Sequence, residues 1–120
     1  VGDGCEQASE ELTQVFALLG KRWSGLVVGV LTGGPARFAE LRRAIPGISE
    51  RMLSDRLTEL TDHGLVVREV LEGPPLGVCY RLTPAGMALR PALEELIRWA
   101  HEHLRPCAPA PSVPPATAER

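Results

Sequence analysis

Between residues 16 and 60 the chain is cut twice, at Gly33-Gly34-Pro35 and at Pro46-Gly47, and the pieces on either side repeat their apolar residues at helical spacing. Glycine and proline in these places end helices rather than continue them. The segment therefore has to fold as short amphipathic helices joined by tight turns, the pattern of a helix-turn-helix. Phe38, Leu41 and Ile45 mark the first helix of that pair. Ser49 caps the second, with Glu50 in its first turn, and Leu53, Leu57 and Leu60 must face the core. Gly64 is well placed just past its C-terminus, with Leu65 supplying the hydrophobic contact that accompanies such an end.

Two helices precede the pair. Ser9 caps the first, Glu10 and Glu11 oppose its dipole, and Leu12, Val15, Phe16 and Leu19 predict one buried face, closed by Gly20. The second is expected from Trp23 to Thr32, with Trp23, Leu26, Val27, Val30 and Leu31 on one stripe. After Gly64 the period drops to about two. Val66–Leu71 and Val78–Leu82 then form a hairpin around Glu72-Gly73-Pro74-Pro75-Leu76-Gly77, placed where a wing would follow a helix-turn-helix. Alternation with Val78, Tyr80 and Leu82 puts Cys79 on the wing surface.

Thr83-Pro84 opens a last helix expected to continue to about residue 104, some 33 Å at 1.5 Å per residue. Its stripe of Leu89, Leu93, Leu96, Ile97, Ala100 and Leu104 is longer than one small winged domain can cover, which points to a second copy. The fold expected is mainly α with a small β-hairpin wing, a winged helix-turn-helix dimeric through its terminal helices. Leu12, Phe16, Leu93, Leu96, Ile97, Ala100 and Leu104 are the expected interface. Residues 1–8 form an N-terminal arm carrying Cys5, residues 9–105 the domain, and residues 106–120 a proline-rich tail without periodicity.

The net charge of −2 conceals an asymmetry. Residues 1–20 hold Asp3, Glu6, Glu10 and Glu11 and no base. Residues 21–56 hold Lys21, Arg22, Arg37, Arg42, Arg43, Arg51 and Arg56 against Glu40, Glu50 and Asp55, a net of +4. A polyanion responds to the local patch rather than to the sum, so duplex DNA is the expected partner. With Leu53 pointing to the core, a turn of about 100° per residue sends Arg51, Ser54, Asp55 and Thr58 outward. These are the positions that meet base edges, Arg51 being suited to guanine and Asp55 to a cytosine amino group. Ser49 stands at the start of the same helix. Arg56 flanks the core, where it meets either a phosphate or an intrachain acid. Lys21, Arg22, Arg37, Arg42 and Arg43 are candidate phosphate clamps.

Other functions find little support. No glycine-rich phosphate loop follows a strand, no nucleophile has a recognisable base, and Glu10-Glu11 and Glu94-Glu95 each point apart on their helices. Neither an enzyme nor a cofactor is expected. His101 and His103 lie about 200° apart on a helix and cannot converge with Cys107 on a metal. The longest apolar run, Gly25 to Leu31, falls short of the roughly 18 residues of a membrane span, so a cytoplasmic location is expected. Cys5, Cys79 and Cys107 form no CxxC pair and, being odd in number, no disulfide framework.

The strings GKRW, GPARFAELRRAIPGIS, RMLSDRL, HGLVVREV and YRLTPAG, in that order and spacing, resemble the HxlR-type winged helix-turn-helix regulators of bacteria, relatives of the MarR family. The resemblance runs from about Phe16 to Ala100. It implies a homodimer on a palindromic operator, the Ser49–Asp62 helix in the major groove and the wing near the adjacent minor groove. It also implies, as in members that sense quinones, aldehydes, diamide or hypochlorite, a sensing role for Cys5. Cys107 would be its partner across subunits, with DNA released on disulfide or adduct formation. Two departures stand out. Leu76-Gly77 follows the double proline where the family commonly has a basic residue. Cys5 lies 16 residues before Lys21, beside Asp3 and Glu6, acids that oppose thiolate formation. Three readings stay open here: a thiol-switched repressor, a regulator of the same fold answering a non-covalent ligand near the dimer interface, and a winged-helix protein–protein module.

Overall fold

The computed structural model describes residue 7, residues 9–74 and residues 76–104. The elements are α1 (Glu10–Leu19), α2 (Ser24–Leu31), β1 (Ala36–Arg37), α3 (Phe38–Ala44), α4 (Glu50–Asp62), β2 (Val66–Leu71), β3 (Gly77–Leu82), α5 (Pro84–Met87) and α6 (Arg90–His103). The chain divides into two units, residues 1–90 and residues 91–120, so α6 runs almost wholly in the second. Among the described residues no single helix is long and apolar enough to cross a membrane.

Local chemistry explains the helix ends of the first unit. The Ser9 hydroxyl accepts from Leu12 N at 2.9 Å, Ser49 from Met52 N at 3.0 Å and Thr83 from Gly86 N at 3.1 Å, each satisfying a backbone donor that the first turn leaves open. At the far end of α4, Gly64 takes a φ of 77°. Its N–H donates to the Thr61 carbonyl and the N–H of Leu65 to that of Leu60, both at 3.0 Å, which closes the helix in a Schellman motif. The Thr83 hydroxyl donates to the Gly64 carbonyl at 2.6 Å and so ties α5 to this turn.

The core of the first unit gathers Val27, Val28 and Leu31 from α2, Leu41 from α3, and Ile45 and Ile48 from the turn. Leu53, Leu57 and Leu60 of α4 complete it with Val66 and Leu82 at the base of the hairpin. The expected winged helix-turn-helix is present, with several differences of detail. The buried stripe of α2 is Ser24, Val27, Val28 and Leu31, and Leu26 is exposed. Trp23 is not a helical residue but the N-cap, at a φ of 87°, which rotates the stripe from where a Trp23 start would put it. The apolar face of α1, expected to be buried, is exposed on this unit: Leu12, Val15 and Phe16 are all open, Phe16 by 62%.

The sheet has three strands in the order β1-β3-β2, all antiparallel, because Ala36 and Arg37 pair with Tyr80 and Cys79. This short β1 carries no alternation of its own in the sequence, and it makes β3 a central strand. The expectation that Cys79 is a surface thiol is therefore corrected: Cys79 is only 9% exposed, with Glu69 and Arg37 directly opposite it on either side. The last helix is not continuous. Helix α5 ends at Met87 and α6 begins at Arg90, because Pro91 has no N–H for the Met87 carbonyl and its ring would crowd that carbonyl.

Two glycines test this packing. Gly29 lies inside α2 with nothing within 4 Å of an added Cβ, so Gly29→Ala should raise stability by about 0.5–1 kcal/mol through helix propensity. An added Cβ at Gly86 would stand 2.3 Å from the Leu65 carbonyl oxygen. Gly86→Ala should therefore cost about 1–3 kcal/mol, as overpacking against backbone does. Urea denaturation of the two variants checks both signs.

Candidate nucleic-acid interface

Burial of Leu53, Leu57 and Leu60 turns the other side of α4 to solvent, and Arg51, Ser54, Asp55 and Thr58 are all exposed there. Among the described residues the Arg51 side chain has no ion pair or hydrogen bond, so its guanidinium is available for a bidentate contact. The Ser49 hydroxyl is occupied as the cap of α4, which orients the helix rather than leaving that oxygen for a ligand.

The structure sorts the remaining cations by what they already hold. Arg43 is exposed and without an ion pair among the described residues. Together with Arg42, Ala39, Gly47 and Ile48 it lines a shallow recess of about 400 Å³ at the helix-turn-helix corner. Arg42 donates to Glu50 at 2.8 Å across that corner. Both groups are largely solvated, so this pair is weak and its arginine can exchange to a phosphate. The guanidinium of Arg22 stacks 4.4 Å from the centre of the Trp23 ring, whose edge lies against Gly47. Arg37 is half-buried on β1, and its guanidinium fills the space left by the missing side chain of Gly77.

Arg56 and Lys21 converge on Glu59, a residue that the sequence pattern did not single out. Lys21 Nζ bonds Glu59 Oε2, and Arg56 Nη1 lies 3.4 Å from Glu59 Oε1. The Arg56 side chain is only 16% exposed, so of its two expected roles the intrachain ion pair is the one it fills. That removes Arg56 from the outward-facing cations. Its Nε and Glu59 Oε1 are buried without hydrogen-bond partners, which makes this a contact of charges rather than a well-formed bond. The hydrogen bond from Lys21 holds the Glu59 carboxyl below its ordinary 4.5, aided by the charges of Lys21, Arg56 and His63 and opposed by desolvation.

The wing adds two residues that only the strand register brings out. Arg68 of β2 and Tyr80 of β3 stand directly opposite each other and so share a face. That face meets Ser54 and Thr58 of α4 across a cleft. The other wing arginine, Arg81, lies on the opposite face, bonded to Glu69 at 2.8 Å. Cys5 and Cys107 lie outside the described residues. Among the described residues no cluster of His, Cys, Asp or Glu could hold a metal.

A short helix and a turn presenting a second helix outward, backed by a β-hairpin, define a winged helix-turn-helix, the class of protein that lays its second helix in the major groove. The model of the HxlR-like helix-turn-helix family matches residues 18–108, and the chain belongs to that family. It is 44% identical over 96 residues to the HTH-type transcriptional regulator YodB of Bacillus subtilis, covering 80% of this chain and 86% of that protein. The reduced form of B. subtilis YodB superposes with a TM-score of 0.72 at 41% identity, covering 88% of this chain and all of YodB's. Quinone-bound YodB gives 0.69 at 42% identity, covering 79% and 99%. The redox regulator HypR in its reduced form gives 0.72 at 33% identity, covering 78% and 92%. These relatives are transcriptional regulators and not enzymes, and DNA binding is the activity that the family implies.

The Glu59 cluster makes a pH prediction. A carboxyl whose folded value is depressed contributes stability above its unfolded value, and that contribution is lost as pH falls through the folded value. Wild type should thus exceed Glu59→Gln in stability at pH 6–7, with the gap closing as pH drops below about 4.5. Thermal melts of the two proteins across pH 3–7 read this directly.

Proposed function

We propose that this protein is a repressor that binds a palindromic operator as a homodimer and releases it when quinones or other oxidants and electrophiles modify its thiols. Cys5 is the sensing thiol and Cys107 of the second subunit its resolving partner. The observation that carries this reading is the likeness, at 42% identity over 79% of the chain, to a regulator solved with quinone bound. A thiolate adds to the electron-poor ring of a quinone, which takes up a proton and becomes a thioether-substituted hydroquinone. Diamide instead accepts two electrons and two protons from a pair of thiols, which leave as a disulfide. Either change at subunit ends that the dimer brings together shifts the spacing of two α4 helices, and an operator with fixed half-sites then loses one of them.

Two apolar surfaces support the dimer. On α1, Leu12, Val15 and Phe16 are exposed; on α6, Leu96, Ile97 and Trp99 are exposed, Ile97 by 67%, as is Leu104 just past its end. Large contiguous apolar faces of this kind mark association sites. Leu93 and Ala100, partly covered, fall on the same side of α6. Arg51, Ser54, Asp55 and Thr58 read base edges, while Arg42 and Arg43 grip phosphate.

Binding to a promoter fragment, followed by fluorescence anisotropy, tests these roles. Arg51→Ala should cost about 1–3 kcal/mol on the operator and little on random duplex. Equal losses on both duplexes would refute base reading. Cys5→Ser should bind normally and ignore quinone and diamide. Cys107→Ser should still respond to quinone but form no disulfide-linked dimer on a non-reducing gel. If Cys5→Ser is released by oxidant as readily as wild type, the thiol switch is wrong. Charged residues in place of Leu96 and Ile97 should give a mass near 13.0 kDa by light scattering, with loss of operator affinity.

A further inference from the structure

We propose that the cleft between α4 and the base of the wing is a binding site for a DNA backbone phosphodiester, with Arg68 as its cation and Tyr80 as its hydroxyl donor. The cleft has a volume of about 390 Å³ and lies beside the proposed reading face, with which it shares Ser54 and Thr58. Leu57, Thr61 and Asp62 contribute the rest of the α4 wall, and the Thr61 hydroxyl is already engaged with the Leu57 carbonyl at 2.7 Å. Arg68 and Tyr80 form the opposite wall. Among the described residues neither the Arg68 guanidinium nor the Tyr80 hydroxyl has a side-chain partner. An arginine left without an acid in a chain where Arg42, Arg56, Arg81 and Arg98 all have one is a cation available to an external anion.

Duplex geometry identifies the anion. A helix about 10–12 Å across fills a major groove of about 12 Å, so the groups flanking it meet the phosphates of the bordering strands. Arg68 and Tyr80 flank α4 on the wing side. The wing tip lacks this chemistry, having Glu72 but no basic residue between it and Val78, and its Leu76 is 76% exposed. Phosphate contact by the wing therefore comes from its base rather than its tip. The acid in the cleft is Asp62, in the last turn of α4, and its charge opposes a phosphodiester there.

This inference rests on the proposed DNA-binding function, and one titration separates the two. Wild type, Arg68→Ala, Arg68→Lys, Tyr80→Phe and Asp62→Asn are titrated against promoter fragment and random duplex at several salt concentrations between about 50 and 200 mM. Melting temperatures of all five proteins establish that they are folded. Arg68→Ala should bind both duplexes roughly tenfold more weakly, with the slope of log K against log salt flatter by about 0.9, the value of one phosphate. Arg68→Lys should restore the slope. Tyr80→Phe should weaken both duplexes without changing the slope, since the lost hydroxyl carries no charge, and Asp62→Asn should strengthen both. Unchanged affinity and slope for Arg68→Ala, with wild type binding steeply dependent on salt, would overturn this site alone. A loss confined to the promoter fragment would make Arg68 a base reader and overturn the phosphodiester assignment. Failure of wild type to bind any duplex would overturn the DNA-binding function and this site with it.

Discussion

Burial of Leu53, Leu57 and Leu60 along one edge of α4 fixes that helix in rotation as well as in position. Each leucine removed from water contributes about 1.5–3 kcal/mol, whereas an exposed ion pair contributes about 0–1. The three together outweigh anything the outer face can do within the chain. A roll of α4 by one residue would carry all of them out of the core. Arg51, Ser54, Asp55 and Thr58 therefore project outward whether or not a ligand is present. The Ser49 cap and the Gly64 turn close the same helix at both ends, so hydrogen bonds at its termini set its length as packing sets its rotation.

Around that helix the acids decide which cations remain for an outside partner. Glu59 engages Lys21 and Arg56, Glu50 engages Arg42, and Glu69 engages Arg81. Among the described residues of this unit, Arg22 stacks on Trp23 and Arg37 packs at Gly77 without an acid, which leaves Arg43 at the corner, Arg51 on the reading face and Arg68 at the wing base with no side-chain partner. These are fewer than the basic segment of the sequence suggests, and one of them lies outside it. The Lys21–Glu59 contact also joins the loop before α2 to α4, so a group that looks like a phosphate clamp in sequence serves partly to position the helix.

Where a feature depends on neighbours within a turn or two, the sequence displays it. The caps at Ser9, Ser49 and Thr83, the stops at Gly33-Gly34-Pro35 and Pro46-Gly47, and the hairpin strands follow from short-range rules and occur as expected. The break before α6 obeys such a rule too: Pro91 carries it, inside an apolar spacing from Leu89 to Leu104 that continues across the break. By contrast, Ser24 is fully buried and Leu26 exposed because of how Trp23 enters α2, which no period reveals.

The sequence by itself determined the order of the first four helices and the hairpin strands, the inward leucines of α4 and hence the outward residues, because periodicity and capping act over a few residues. Only the tertiary structure decided that β1 pairs with β3 and buries Cys79, that Glu59 collects Lys21 and Arg56, and that Arg68 faces Tyr80 beside α4. Each of these joins side chains distant along the chain. Such contacts depend on strand register and on the approach of packed elements, and neither leaves a local pattern.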